Sequence, residues 1–154
     1  MTRSTPIGRR GLLLGAAAAL AALARPRSAL AAAPSMEVWT SPGCGCCHAW
    51  VDHLRAAGIE AAVTEAQDLA PLKARLGVPP ELRSCHTARI GGYAVEGHVP
   101  AADILRLLDE RPRATGLAVP GMPVGSPGME AGEAREPFDV LLFAPGRIEV
   151  FSRR

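Results

Sequence analysis

Three cysteines within four residues, Cys44, Cys46 and Cys47, stand where the chain passes from one periodicity to another, and this junction restricts the local fold more than any other feature. Residues 36–40 alternate apolar and polar as a short strand does, and Ser41, Pro42 and Gly43 end the run with turn chemistry. From Cys46 onward Cys47, Trp50, Val51 and Leu54 recur at helical spacing, Asp52, His53 and Arg55 lie mostly elsewhere, and Gly58 supplies a stop. The cysteines therefore belong to a strand–turn–helix unit. Cys44 and Cys47, three apart at a helix start, can bring their sulfurs together. The unpaired N–H groups and the helix dipole at that end favour thiolate over thiol.

The same rules carry along the chain. Residues 59–64 read as a second strand, and Asp68 can cap a helix through Leu69, Leu72 and Leu76 that Gly77-Val78-Pro79-Pro80 breaks. Residues 85–99 read as a hairpin: Cys85 to Ile90, a Gly91-Gly92 turn, Tyr93 to Val95, and Gly97 closing it. Pro100 starts a third helix, with Ile104, Leu105, Leu107 and Leu108 along one side and Pro112 at its end. Residues 112–128 hold four Pro and four Gly, which excludes a helix, with Met122 and Met129 in Pro-Gly-Met-Pro and Pro-Gly-Met-Glu. Residues 138–143, a turn at 144–147 and residues 148–151 read as a terminal hairpin. The expected class is α/β. The order β-α-β-α-β-β-α, with a CxxC at the start of the first helix, is the thioredoxin-like arrangement, here followed by a Pro/Gly/Met-rich loop and a C-terminal β-hairpin. Trp39, Trp50 and Tyr93 are expected to fill the core.

Residues 1–31 are unlike the rest. Arg9-Arg10 precede Gly11-Leu12-Leu13-Leu14 and an Ala/Leu run to Ala24, and Ser28-Ala29-Leu30-Ala31 has a small-x-small cleavage pattern. The 14-residue apolar stretch is shorter than the roughly 18–20 residues needed to cross a bilayer, so residues 1–31 read as a cleaved signal peptide rather than a permanent membrane anchor. The paired arginines resemble a twin-arginine signal, with Leu12 in place of the usual Phe. Residues 32–154 are then the functional domain. The whole chain has 17 basic and 15 acidic residues; five arginines and no acid fall in 1–31, leaving 12 basic against 15 acidic in the other 123, net −3. Nucleic acid is a poor partner for such a body.

Four cysteines in an exported protein read first as two disulfides. The spacing argues otherwise, because adjacent Cys46 and Cys47 rarely pair. Cys46 adds a third sulfur that a redox CxxC does not require, and Cys85, at the start of the third strand, would face the first helix and add a fourth. Soft thiolates and thioethers select Cu(I), whereas Zn(II) is usually satisfied by four Cys/His ligands and rarely recruits Met. The candidate ligands are Cys44, Cys46, Cys47, Cys85, His86, Met122 and Met129. One sulfur can bridge two soft ions, so a multi-copper site is open, and zinc is the weaker choice. His98 is expected to satisfy backbone groups at a helix start, and His48 and His53 to face solvent. A disulfide between Cys85 and a member of the cluster stays open for the metal-free protein.

Four segments carry a family resemblance: Cys44-Gly45-Cys46-Cys47; Ser84-Cys85-His86-Thr87-Ala88; Gly92-Tyr93-x-Val95-Glu96-Gly97-His98-Val99-Pro100; and the block from Gly116 to Glu130 that contains Pro120-Gly121-Met122-Pro123 and Ser126-Pro127-Gly128-Met129. Over about residues 36–151 the chain resembles domain-of-unknown-function family 411, the CopG-like periplasmic copper-resistance proteins. The resemblance implies a thioredoxin-like fold, periplasmic localisation, copper as ligand, Cys44, Cys46, Cys47 and Cys85 as copper-binding cysteines, and the Met loop lying over them. Other periplasmic copper-handling proteins are then the expected partners. The expected function is an exported protein that holds Cu(I) and contributes to copper resistance. Thiolate-bound copper can also cycle between Cu(I) and Cu(II), so a copper oxidoreductase is compatible. The competing reading is a thiol–disulfide oxidoreductase in which Cys44 attacks and Cys47 resolves; the usual Thr-Pro or Val-Pro opposite the CxxC is replaced by Ser84-Cys85.

Overall fold

Alternation at Met36, Val38 and Thr40 against Glu37 and Trp39 makes the first strand, β1 (Ser35–Thr40), whose buried face is the even-numbered one. The computed structural model describes residues 32–154; the signal-peptide reading of residues 1–31 lies outside them. After β1 come α1 (Gly45–Ala56), β2 (Glu60–Glu65), α2 (Ala70–Arg75), a single 3₁₀ turn (Pro80–Leu82), β3 (His86–Ile90), β4 (Tyr93–Gly97) and α3 (Ala101–Glu110), in the expected order. The chain then adds β5 (Gly116–Val119), β6 (Asp139–Ala144) and β7 (Arg147–Arg153). Among the described residues no helix is long and apolar enough to cross a membrane.

The seven strands form one mixed sheet in the order β2-β1-β3-β4-β5-β6-β7. β1 runs parallel to β2 and antiparallel to β3, and β4 is antiparallel to β3 and parallel to β5. The pleat then assigns side chains to faces. Met36, Val38, Ala88, Ile90, Val95, Leu117 and Val119 pack with Trp50, Val51 and Leu54 of α1 and Ile104 and Leu107 of α3. Ala94, Ala118 and Phe143 point the other way and pack with Val78 and Leu82, which follow α2. Helices thus cover both faces, with the larger core between the sheet and α1/α3.

Three expectations need correction. The stretch expected to be loop contains β5, whose four residues are all buried; Gly and Pro around it hide the strand, and a strand covered on both faces shows no alternation. Leu105 is 39% exposed rather than in the core stripe, whose buried members in α3 are Ala101, Asp103, Ile104 and Leu107. Asp103 earns its burial by accepting hydrogen bonds from Ser152 Oγ (2.8 Å) and Arg154 Nη2 (2.6 Å). Trp39 lies on the odd-numbered face of β1 and is only half-buried, whereas Trp50 is fully buried and donates its indole N–H to the Val99 carbonyl at 2.8 Å. Tyr93 is buried as expected and donates to the Pro112 carbonyl.

Candidate metal centre

Cys44 occupies the N-cap of α1 with extended backbone and no side-chain capping bond, so no side chain at the N-cap takes up the N–H groups of the first turn. Helical spacing puts Cys47 on the stripe of Trp50, Val51 and Leu54, where it is wholly buried, and leaves Cys44 and Cys46 half-buried. Cys44 and Cys47 are joined in a disulfide, with Cα atoms 5.4 Å apart. Cys46 Sγ lies 3.5 Å from Cys44 Sγ. β3 is the neighbour of β1, so the residue just ahead of it arrives at the mouth of the β1–α1 turn. That residue is Cys85, with Sγ 3.6 Å from Cys47 Sγ and 4.0 Å from Cys46 Sγ. The four sulfurs all lie within 4.8 Å of one another.

Two imidazoles close the other side. His86 Nδ1 and His98 Nε2 each stand 3.3 Å from Cys85 Sγ. The His86 ring lies 4.3 Å from the Trp50 ring, centroid to centroid, and meets the His98 ring edge-on at 4.9 Å. Burial, then the neighbouring His98 and Lys73 charges, push the His86 pKa down to about 3, so its ring is neutral at physiological pH. His98 is also lowered by burial. Its Nδ1 is 2.8 Å from the Pro127 carbonyl, which can only accept, so Nδ1 carries the proton and Nε2 turns a lone pair toward Cys85. A ligating histidine is commonly held in this way, its second nitrogen donating to a backbone carbonyl. The Cys85 thiol is pushed up to about 11, first by burial and then by Cys46.

Pro127 belongs to the Pro/Gly/Met-rich loop, which reaches the cluster through Gly128. A Cβ on Gly128 would fall 2.6 Å from the Cys46 carbonyl oxygen and 2.7 Å from the Trp50 nitrogen, and its φ is +85°. The loop thus rests directly on the first turn of α1. Met129, next along, is half-buried, and its N–H donates to the Ser126 carbonyl. Met122 is 41% exposed and holds a left-handed backbone, φ 49°.

The structure brings together Cys44, Cys46, Cys47, Cys85 and His86. It adds His98, expected instead to satisfy backbone groups at a helix start. That capping role belongs instead to His53, half-buried rather than solvent-facing, whose Nε2 accepts the Ala101 N–H at 3.1 Å. The Gly97-His98-Val99-Pro100 run held the signal: Gly97 ends β4, and the chain turns there before Pro100 caps α3. His48 is half-exposed and 3.7 Å from Glu65.

With the disulfide closed, only the Cys46 and Cys85 thiols are free. Two-electron reduction would give four sulfurs beside two neutral imidazoles, a soft set suited to Cu(I) and larger than the four ligands that satisfy Zn(II).

Residues 82–129 match the family described as "Protein of unknown function, DUF411". Two solved structures of a copper resistance protein copG are similar to the chain. Form 2 is 44% identical, covering 79% of this chain and 98% of its own at a TM-score of 0.75. Form 1 is 45% identical, covering 78% and 96% at a TM-score of 0.74. No curated protein matches the chain.

Proposed function

Because the chain belongs to the DUF411 family of CopG-like copper-resistance proteins, we propose that it is an exported protein that holds Cu(I) on the thiolates of Cys44, Cys46, Cys47 and Cys85 and so contributes to copper resistance. The carrying observation is the convergence of four sulfurs, 38 residues apart along the chain at the widest gap, within 4.8 Å. Cys47 and Cys85 are buried or half-buried against neutral imidazoles, where a monovalent soft ion suits the site better than a divalent hard one. His86 and His98 are the nitrogen donors next to Cys85, and Met122 and Met129 are the thioether candidates from the loop. With bridging sulfurs, more than one copper fits this ligand set. The sheet order β2-β1-β3-β4 and the CxxC at the start of α1 support the thioredoxin-like reading of the fold, with the site at the end of the sheet. Periplasmic localisation follows from reading residues 1–31 as a twin-arginine-like signal, and copper-handling proteins of that compartment are the partners.

The Cys44–Cys47 disulfide favours a second reading, a thiol–disulfide oxidoreductase. Two features weigh against it. Cys46 and Cys85 stand 3.5 and 3.6 Å from the pair and would intercept a mixed disulfide with a substrate. The four sulfurs are also packed within 4.8 Å of one another, an arrangement that a two-cysteine redox pair does not require.

Anaerobic Cu(I) titration of the reduced protein with elemental analysis decides between them. Copper should bind in wild type and fall in stoichiometry in Cys85→Ser. An unchanged stoichiometry removes Cys85 from the site, and reduction of insulin disulfides by metal-free protein would promote the oxidoreductase.

A further inference from the structure

On the face of the sheet opposite the sulfurs lies a buried ion pair that the metal chemistry does not use. Glu96, on central strand β4, is fully buried and accepts from Lys73 Nζ of α2 at 2.6 Å; the Lys73 side chain is 6% exposed. Burying two charges is costly, and such pairs often add little to stability. The same Glu96 oxygen also accepts the backbone N–H of Ser84 at 2.6 Å. Ser84 is the residue before Cys85.

From the other side Ser84 is pressed against Gly97. A Cβ on Gly97 would meet Ser84 Cβ at 2.9 Å and also collide with the Val119 carbonyl. The strap between the 3₁₀ turn and β3 is therefore seated between a charged anchor and a bare Cα. It crosses there from the α2 side of the sheet, where Glu96 and Thr87 pair in register, to the α1 side, where the His86 ring packs at a tilt against Trp50. Cys85 is at the crossing and is not itself part of β3.

We propose that Lys73 and Glu96 are positioning residues for the metal centre: Glu96 pins the Ser84 N–H, Lys73 holds the Glu96 carboxylate in place, and together they fix the Cys85 sulfur over the α1 cysteines. This rests on the copper reading for its consequence, but the geometry it asserts is present in metal-free protein. Outer groups that orient a ligand typically change metal affinity by about 10–100-fold when removed.

The test has a metal-free arm and a copper arm. In metal-free wild type, amide hydrogen exchange should show the Ser84 N–H protected by at least about 100-fold over an unstructured chain; exchange at the unprotected rate overturns the proposal without any variant. The double variant Lys73→Met/Glu96→Leu replaces the pair by apolar groups, an exchange that commonly preserves folding. It should lose Ser84 protection and bind Cu(I) at least about 10-fold more weakly, with an altered sulfur-to-copper charge-transfer spectrum. Glu96→Gln keeps an acceptor oxygen for Ser84 and should hold copper affinity within about threefold of wild type. A folded double variant with wild-type copper affinity and spectrum would mean that the pair is only structural. If wild type itself took up no Cu(I), the copper reading would fail while the exchange result still judged the anchor.

Discussion

The Cα of Gly128 sits so close to the first turn of α1 that a methyl group there would lie 2.6 Å from the carbonyl oxygen of Cys46. This contact joins the Pro/Gly/Met-rich loop to the cysteine turn, and the neighbouring Pro127 carbonyl holds the His98 ring. Gly128→Ala should therefore lift the loop and free His98. Backbone cannot yield as a side-chain tip can, and φ is positive, so a loss of about 1–3 kcal/mol is expected in thermal or urea unfolding. A variant as stable as wild type, with copper binding intact, would show that the loop is not seated as described.

Copper capacity should track the thiol state. The disulfide-bonded protein should offer two titratable thiols in denaturant, from Cys46 and Cys85, and the reduced protein four. Cu(I) bound per chain should rise on reduction; equal uptake by both forms would take Cys44 and Cys47 out of the site.

Cys85 should be slow to react without metal. Its thiol remains protonated up to about 11, because burial and Cys46 disfavour the thiolate. Mass spectrometry after iodoacetamide treatment of the metal-free, disulfide-bonded protein should show little Cys85 modification at pH 8 and a steep rise as pH approaches 11. Rapid labelling at pH 8 would contradict the packing around it.

His53 should link stability to pH. Its Nε2 accepts the Ala101 N–H only when neutral, and burial, partly offset by Glu130, lowers its pKa from 6.5. A lowered histidine pKa stabilises the fold fully above the unfolded value near 6.5, and that contribution fades as pH falls through the folded value. His53→Ala should lower stability by about 0.5–2 kcal/mol at pH 8, as loss of a helix cap does. The difference from wild type should shrink as pH is lowered. His86, with a folded value of about 3, adds acid sensitivity of the same sign between about 6.5 and 3, which both proteins share.

Much of this architecture could be read from local pattern. The strand at residues 36–40, the cysteine turn, the stripe of Cys47, Trp50, Val51 and Leu54, the Gly91-Gly92 hairpin and the terminal hairpin all depend on neighbours one to four residues apart, and those neighbours are written in the chain. Cys44 and Cys47 fall under the same rule, since a helix start brings i and i+3 together. β5 escaped because a fully buried strand flanked by Pro and Gly has neither alternation nor length to mark it.

By itself, then, the sequence determined the elements and their order through α3, the terminal hairpin and the cysteine turn at the start of α1, but not β5. Cys85 and His86 could be named from the chain, but only the tertiary structure decided how close they come to the cysteine turn and that His98 joins them. The β1–β3 register delivers Cys85 and His86, the turn after Gly97 aims His98 at the same sulfur, Gly128 lays the loop on α1, and His53 takes the capping role at α3. The physical reason is range. Local periodicity follows from backbone geometry, whereas these approaches depend on sheet register and on Glu96 and Lys73 meeting through the fold, 23 residues apart and without any mark in the residues between them.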